Sequence, residues 1–217
     1  MNEPIARHPA RVIKLGGSLL SNSGAPQRIE RWLEHLTEQQ KTEGSPVWRN
    51  LWIVGGGELA NTVRDWDAKF SLAPEFAHWA CIDLMDINAR LLCAWFPHWE
   101  ISDQLSNQLK GTAESWNQVF LVSRWLRERK SNLPQSWATT SDSIALFVAE
   151  SLQAEELVLL KSCDPPDLME EVSLESLASS DFVDRQFVPQ IRSLTKTINV
   201  RFVNLSNDRF CEAVLKR

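Results

Sequence analysis

The 217-residue sequence has no tyrosine, only four cysteines and no excess of basic residues, and each shortage removes a class of function. Cys81, Cys93, Cys163 and Cys211 are widely spaced, with no C-x-x-C pair and no accompanying histidine cluster. Neither a zinc site nor a disulfide framework is indicated, and reduced thiols are expected. A net charge of −5 argues against a nucleic-acid partner gripped through its phosphates, because such proteins carry basic surfaces; free nucleotides stay open. The start of the chain, Met1-Asn2-Glu3-Pro4-Ile5, has no apolar signal core. No run approaches the ~20 uncharged apolar residues of a membrane span, so a cytoplasmic location is expected. There is no G-x-x-x-x-G-K-S/T P-loop, and neither glycine cluster reads G-x-G-x-x-G, which argues against a Rossmann dehydrogenase. Several of the ten tryptophans, Trp32, Trp66 and Trp79 among them, fall among apolar residues at helical spacing, and aromatics interleaved with basic residues are missing. They read as core or interface rather than as a base-stacking platform.

What is present is an apolar strand running into glycines. In Val12-Ile13-Lys14-Leu15-Gly16-Gly17-Ser18 a buried strand ends at a turn where backbone N–H groups converge without a Cβ in the way. Lys14 adds a compact positive charge, so the segment offers a place for phosphate. A second strand, Leu51 to Val54, runs the same way into Gly55-Gly56-Gly57.

Strands and helices alternate along the rest. Pro26 opens a helix with Ile29, Trp32, Leu33 and Leu36 on one face, ending near Gly44-Ser45-Pro46. Leu59, Val63, Trp66 and Phe70 share one side of the next helix. Phe76, Ala80, Leu84, Ile87 and Leu91 are spaced to face a core within a helix from Pro74 to about Phe96. Strands are expected at 99–101, 118–122, 157–160 and 200–203, with a short helix at 173–179. Thr139-Thr140-Ser141-Asp142 offers capping oxygens for a helix carrying Ile144, Phe147, Val148 and Leu152. Asn207 is expected to cap a last helix through Leu215. With no linker or low-complexity segment, the chain reads as one domain, 1–217, an α/β protein whose ligands bind at the carboxyl ends of the strands.

Four ordered motifs then carry a resemblance: Val12 to Ser18, Ile53 to Gly57, Thr140-Ser141-Asp142-Ser143-Ile144-Ala145, and Val158 to Lys161. Their order and spacing resemble the amino-acid kinase superfamily, over about Arg11 to Asp164. The resemblance implies a three-layer αβα sandwich on about eight mainly parallel strands, transferring a phosphoryl group from ATP with Mg²⁺. It implies that Lys14 bridges the transferred group, that Gly16, Gly17 and Ser18 hold the nucleotide's terminal phosphates, and that Gly55, Gly56 and Gly57 face them on the acceptor side. Asp142 matches the aspartate that organises the lysines; its simpler reading is a helix N-cap. Lys161 matches a second phosphate lysine. Ser162 and Asp164 fall in the nucleotide loop, where Pro165 and Pro166 replace the family's usual glycine.

The segment Gly57 to Arg64, with Ala77-His78-Trp79-Ala80 and Leu84-Met85-Asp86, is similar to the archaeal branch that phosphorylates an aminomethylfuran methyl phosphate in methanofuran synthesis. That likeness implies an acceptor already bearing phosphate, contacted by Arg64, with Asp83 or Asp86 at a cationic amine. For these side chains a solvated helix face is the plainer reading, and His78 reads as a packed histidine. Uridylate, isopentenyl phosphate or an acyl-amino acid are alternative acceptors. A non-catalytic store of oxyanions or nucleotide on the same fold also stays open. The family usually forms homo-oligomers, so one is expected here.

Overall fold

The structure, a computed structural model, describes residues 8–43, 47–105, 116–129, 131–166, 171–207 and 209–216. Its strands are β1 (Ala10–Leu15), β2 (Arg49–Val54), β3 (Glu100–Ser102), β4 (Trp116–Phe120), β5 (Glu156–Lys161), β6 (Glu171–Ser173), β7 (Asn199–Asn204) and β8 (Glu212–Lys216). They form one sheet in the order β3-β4-β2-β1-β5-β7-β8-β6. Among the described residues only the β7/β8 pair is antiparallel. Helices α1 (Ala25–Glu43), α2 (Gly57–Phe70), α3 (Pro74–Trp95), α4 (Val122–Glu128), α5 (Ser141–Leu152), α6 (Leu174–Ser179) and α7 (Phe187–Ser193) complete the expected α/β architecture.

Strand β1 is buried at every position, as a parallel strand covered on both faces must be. Alternation then sorts its side chains. Val12 packs with Leu157, Leu159 and the α5 residues Ile144, Ala145 and Val148. Ile13 and Leu15 go to the other layer, with Trp32, Trp52, Val158 and Leu160. Lys14 shares the parity of Val12, and Lys161 that of Leu157 and Leu159. Both lysines therefore rise on the face of the sheet that carries α5.

Several sequence expectations are corrected. The end of the chain is strand β8, not a helix through Leu215: Ala213 and Leu215 are buried while Val214 is exposed, a period of two. Asn207 makes a local turn, its Oδ1 accepting from Arg209 N at 3.2 Å. Strand β4 stops at Phe120, and Val122, expected in the strand, begins α4. Strand β6 and helix α7 were not anticipated. The buried face of α3 is also the opposite of the one expected. Ala77, His78, Ile82, Met85, Asn88, Ala89 and Leu92 face inward, whereas Phe76, Ile87 and Leu91 are exposed. A helix apolar on most sides does not announce which stripe the sheet will take, and here the stripe with small residues lets the backbones approach closely. On α2 only Val63 is buried; Trp66 is 51% and Phe70 70% exposed. The expected end of α1 near Gly44-Ser45-Pro46 lies outside the described residues, as does Asp167.

All four cysteines are free thiols. Among the described residues no helix is long and apolar enough to cross a membrane.

Candidate active site

The shared parity of Lys14 and Lys161 has a chemical result. Residues Arg11 to Leu15 of β1 lie beside Glu156 to Leu160 of β5, so both lysines sit near the carboxyl ends of adjacent strands. Between their ammonium groups stands Asp142 from the first turn of α5. Lys14 Nζ lies 2.9 Å from its Oδ1, and Lys161 Nζ donates to its Oδ2 at 2.6 Å. Lys14 and Asp142 are each only 5% exposed. Burial alone would push the Asp142 carboxyl up; the charges of Lys14 and then Lys161 outweigh it and hold the group at about 2. Burial also lowers the Lys161 ammonium, with Asp142 opposing that shift and Lys14 adding to it. The three side chains form a buried line of two cations and one anion, with one positive charge in excess.

Asp142 does not cap its own helix. The N-cap is Thr140, and neither Thr140 nor Asp142 satisfies the first-turn amides through its side chain. That task falls to Asp184, whose Oδ2 accepts from Thr140 N at 2.9 Å, Thr140 Oγ1 at 2.9 Å and Ser143 N at 3.0 Å. Its Oδ1 accepts from Ser143 Oγ and from Phe187 N at 3.1 Å. Nothing local in the sequence marks Asp184, because the pairing spans about forty residues.

The two glycine loops press backbone against backbone. A Cβ placed on Gly17 would lie 2.1 Å from the Gly57 nitrogen, and Gly57 itself has φ +56°, a conformation that suits glycine. Gly16 N donates to Leu160 O and Gly55 N to Leu15 O, each at 2.9 Å, so both loops leave the sheet under ladder control. Gly17 begins a short 3₁₀ turn, Gly17–Ser21. Asn88, buried on the inward stripe of α3, donates from Nδ2 to the carbonyls of Gly55 at 2.8 Å and Gly56 at 2.9 Å. A polar residue within the stripe Ile82-Met85-Ala89-Leu92 was a readable signal, hidden by choosing the other face of α3. On the nucleotide side of the expected site, Ser18 Oγ and Ser162 Oγ are 2.9 Å apart. Asp164 Oδ1 accepts from Asn204 Nδ2 at 2.8 Å.

Next to the second loop lies a cleft of about 460 Å³ between α2, α3 and the 136–141 segment, within the usual size of a small-molecule site. Gly17, Ser18, Gly56, Gly57 and Arg64 line it. Asn61 Oδ1 accepts from Arg64 Nη1 at 2.6 Å, and the guanidinium lies over Trp137, 4.7 Å from the ring centre. Trp137 is fixed in turn by donating Nε1 to Asp67 Oδ2 at 2.7 Å. His78 is buried at the cleft wall; burial pushes its imidazole down, against a hydrogen bond to the Ser136 backbone. Burial pushes the Cys81 thiol up to about 11, which makes it a poor nucleophile. Asp83 and Asp86, expected near an acceptor amine, are spoken for. Asp86 Oδ1 accepts from Val122 N at 2.7 Å at the start of α4, and Asp83 pairs with Arg127 at 2.9 Å.

Comparisons with known proteins bear on the family and the fold. A kinase of (5-(aminomethyl)furan-3-yl)methyl phosphate from Methanocaldococcus jannaschii is 26% identical over 153 residues, 70% of this chain and 66% of that protein. The match therefore spans just under two thirds of the relative. The uridylate kinase of Archaeoglobus fulgidus shares the fold at a TM-score of 0.60 and 18% identity, covering 94% of this chain and 97% of that one. The UMP kinase of Ureaplasma parvum does so at 0.64 and 11%, covering 97% and 100%. Residues 9–165, well over half of the chain, match the Amino acid kinase family, and the chain belongs to it.

Proposed function

We propose that the protein is an ATP-dependent kinase that transfers the γ-phosphoryl group to a small acceptor already carrying phosphate, of the furan-type class named for the Methanocaldococcus relative. The observation that carries this reading is the Lys14–Asp142–Lys161 line ending beside two abutting glycine loops. A transferring phosphoryl group spreads charge over its equatorial oxygens, and catalysis consists mainly of positioning and electrostatic stabilisation. Asp142 is too acidic to serve as a base and acts as a fixed anchor for the two ammonium groups. Lys14, two residues before Gly16, and Lys161 place the excess positive charge at the strand ends from which the first loop leaves, and with Gly16 N held by Leu160 O the backbone donors offered there are those of Gly17 and Ser18.

The same features test the fit of the cosubstrate. The excess buried charge, and the cleft of about 460 Å³ lined by Gly17, Ser18, Gly56 and Gly57, suit a polyphosphate. Among the described residues no three His, Cys, Asp or Glu side chains gather, so Mg²⁺ would arrive on its nucleotide rather than in a protein cage. The ion neutralises phosphate charge when bound. On the other side of the junction, Arg64 is the cation available to an acceptor phosphate, its fork pre-oriented by Asn61 and Trp137.

Saturating MgATP should stabilise the native state by about 2.7 kcal/mol at a hundredfold excess over Kd. At ~2–4 °C per kcal/mol for a chain of this size, that raises Tm by roughly 5–10 °C. Incubation with an aminomethylfuran methyl phosphate should then release ADP, whereas uridylate and isopentenyl phosphate should not. No Tm shift at millimolar MgATP would overturn the kinase reading; turnover of uridylate alone would overturn the acceptor.

The protein is further proposed to be a homo-oligomer. Leu59, Trp66 and Phe70 of α2 and Phe76, Ile87 and Leu91 of α3 are all exposed. Two packed helices presenting this much aliphatic and aromatic surface form a patch of the kind that subunit interfaces cover. Light scattering that returned the 24.8 kDa monomer at micromolar concentration would refute this.

A further inference from the structure

The family match ends at residue 165, yet the line of charges is braced by residues beyond it. The Phe182 carbonyl accepts from Lys161 Nζ at 2.7 Å, and the Phe182 ring lies 5.1 Å from the same ammonium. Two residues later comes Asp184. Its carboxylate takes the backbone and hydroxyl of Thr140, the backbone and hydroxyl of Ser143, and the Phe187 amide that opens α7. Thr140 and Ser143 flank Asp142 in the chain. One carboxylate thus grips the first turn of α5 on both sides of Asp142, while Asp142 turns its own carboxylate to the lysines.

A simple cap would not need this arrangement. Helix N-termini are ordinarily satisfied by the residue at the N-cap, and Thr140 has the right chemistry for it. Here the Thr140 hydroxyl is spent as a donor to Asp184 instead. The Ser143 side chain, fully buried, is spent the same way. Carboxylate charge at the start of α5 also suits the helix dipole.

We propose that Asp184 is a positioning residue for the phosphoryl-transfer site. Together with Phe182 it makes the strap 182–184, which ties Lys161 and the first turn of α5 to each other and so holds Asp142 between Lys14 and Lys161. The catalytic consequence rests on the kinase reading; the positioning itself does not.

The test is Asp184→Asn in the full chain, with two readouts. The Nζ resonances of Lys14 and Lys161, followed by NMR in lysine-labelled protein, should shift or broaden, because their carboxylate partner is no longer fixed. With ATP and acceptor, kcat should fall ten- to a hundredfold while KM for the acceptor stays within threefold, since a displacement of about 1 Å at a reacting centre can cost 10²-fold. Should Asp184→Asn fail to fold, Ser143→Ala removes a single donor and should move the same resonances in the same direction. Unchanged lysine resonances together with kcat within twofold of wild type would overturn the proposal and leave Asp184 as a cap. Shifted resonances in a protein that phosphorylates no acceptor would support the positioning role and sink the kinase reading instead.

Discussion

Lys14→Met is expected to lower turnover by roughly two to three orders of magnitude, the scale of losing one preorganised charge donor from a transition state, without loss of fold. The two halves of that expectation come from the same charge count. In the native protein one carboxylate sits between two buried ammonium groups, which leaves one positive charge in excess within the triad, offset in part by the Asp184 carboxylate. Removing Lys14 leaves Asp142 paired with Lys161 alone, a neutral pair already at 2.6 Å. An apolar side chain of similar length fills the space, no charge is left unpaired, and the repulsion between the two ammonium groups across Asp142 is relieved. Tm should therefore hold or rise while phosphoryl transfer collapses, the signature of a site that keeps strain for function. Initial-rate kinetics with thermal melts on the same samples decide it. Turnover within tenfold of wild type would show that Lys14 takes no part in transfer.

How much of this was legible beforehand depends on the reach of each interaction. The strand-to-glycine junctions were visible because a run of apolar residues ending in Gly-Gly is local information; β1 and β2 fall where that pattern put them, and β5 where its apolar run alone did. Strand parity is also local, but only the pairing of β1 with β5 sets Lys14 and Lys161 on one face. Their convergence on Asp142 needed the parallel pairing of β1 with β5 and the placement of α5, which motif order suggested but composition could not. Other features were out of reach. Asp184 acts across some forty residues on an unremarkable stretch of sequence. Helix α3 carries two usable apolar stripes, and only the neighbouring sheet decides between them, so Asn88 was missed as the residue that pins the second glycine loop. The error at the chain's end is of another kind. Burial over Glu212 to Lys216 alternates with period two, but Ala213-Val214-Leu215 is a continuous apolar run, so an upstream asparagine was read as a helix cap where the sequence shows no alternation.

Asp142→Asn should do the reverse of Lys14→Met and strike stability first. It leaves Lys14 and Lys161 facing each other in a buried site with no anion between them, and breaking a buried pair from one side typically costs about 3–5 kcal/mol at neutral pH. The pH dependence follows from sign. The Asp142 carboxyl is held at about 2 in the folded protein against 3.8 for the free group, so the unfolded chain binds the extra proton first as pH falls. The stability due to its depressed acidity, about 2 kcal/mol, is fully present above pH 4 and is lost as pH drops from about 4 through 2. The gap in unfolding free energy between wild type and Asp142→Asn should accordingly narrow over that window, and urea melts at pH 7, 4 and 2.5 would show it. The double variant Lys14→Met/Asp142→Asn separates this from a packing defect. Taking away one of the two opposed ammonium groups should restore a large part of the lost stability, so the two substitutions combine to less than their sum. If the double variant is as unstable as Asp142→Asn alone, repulsion between the lysines is not what Asp142 holds in check, and the charge line has been misjudged as the site's organising feature.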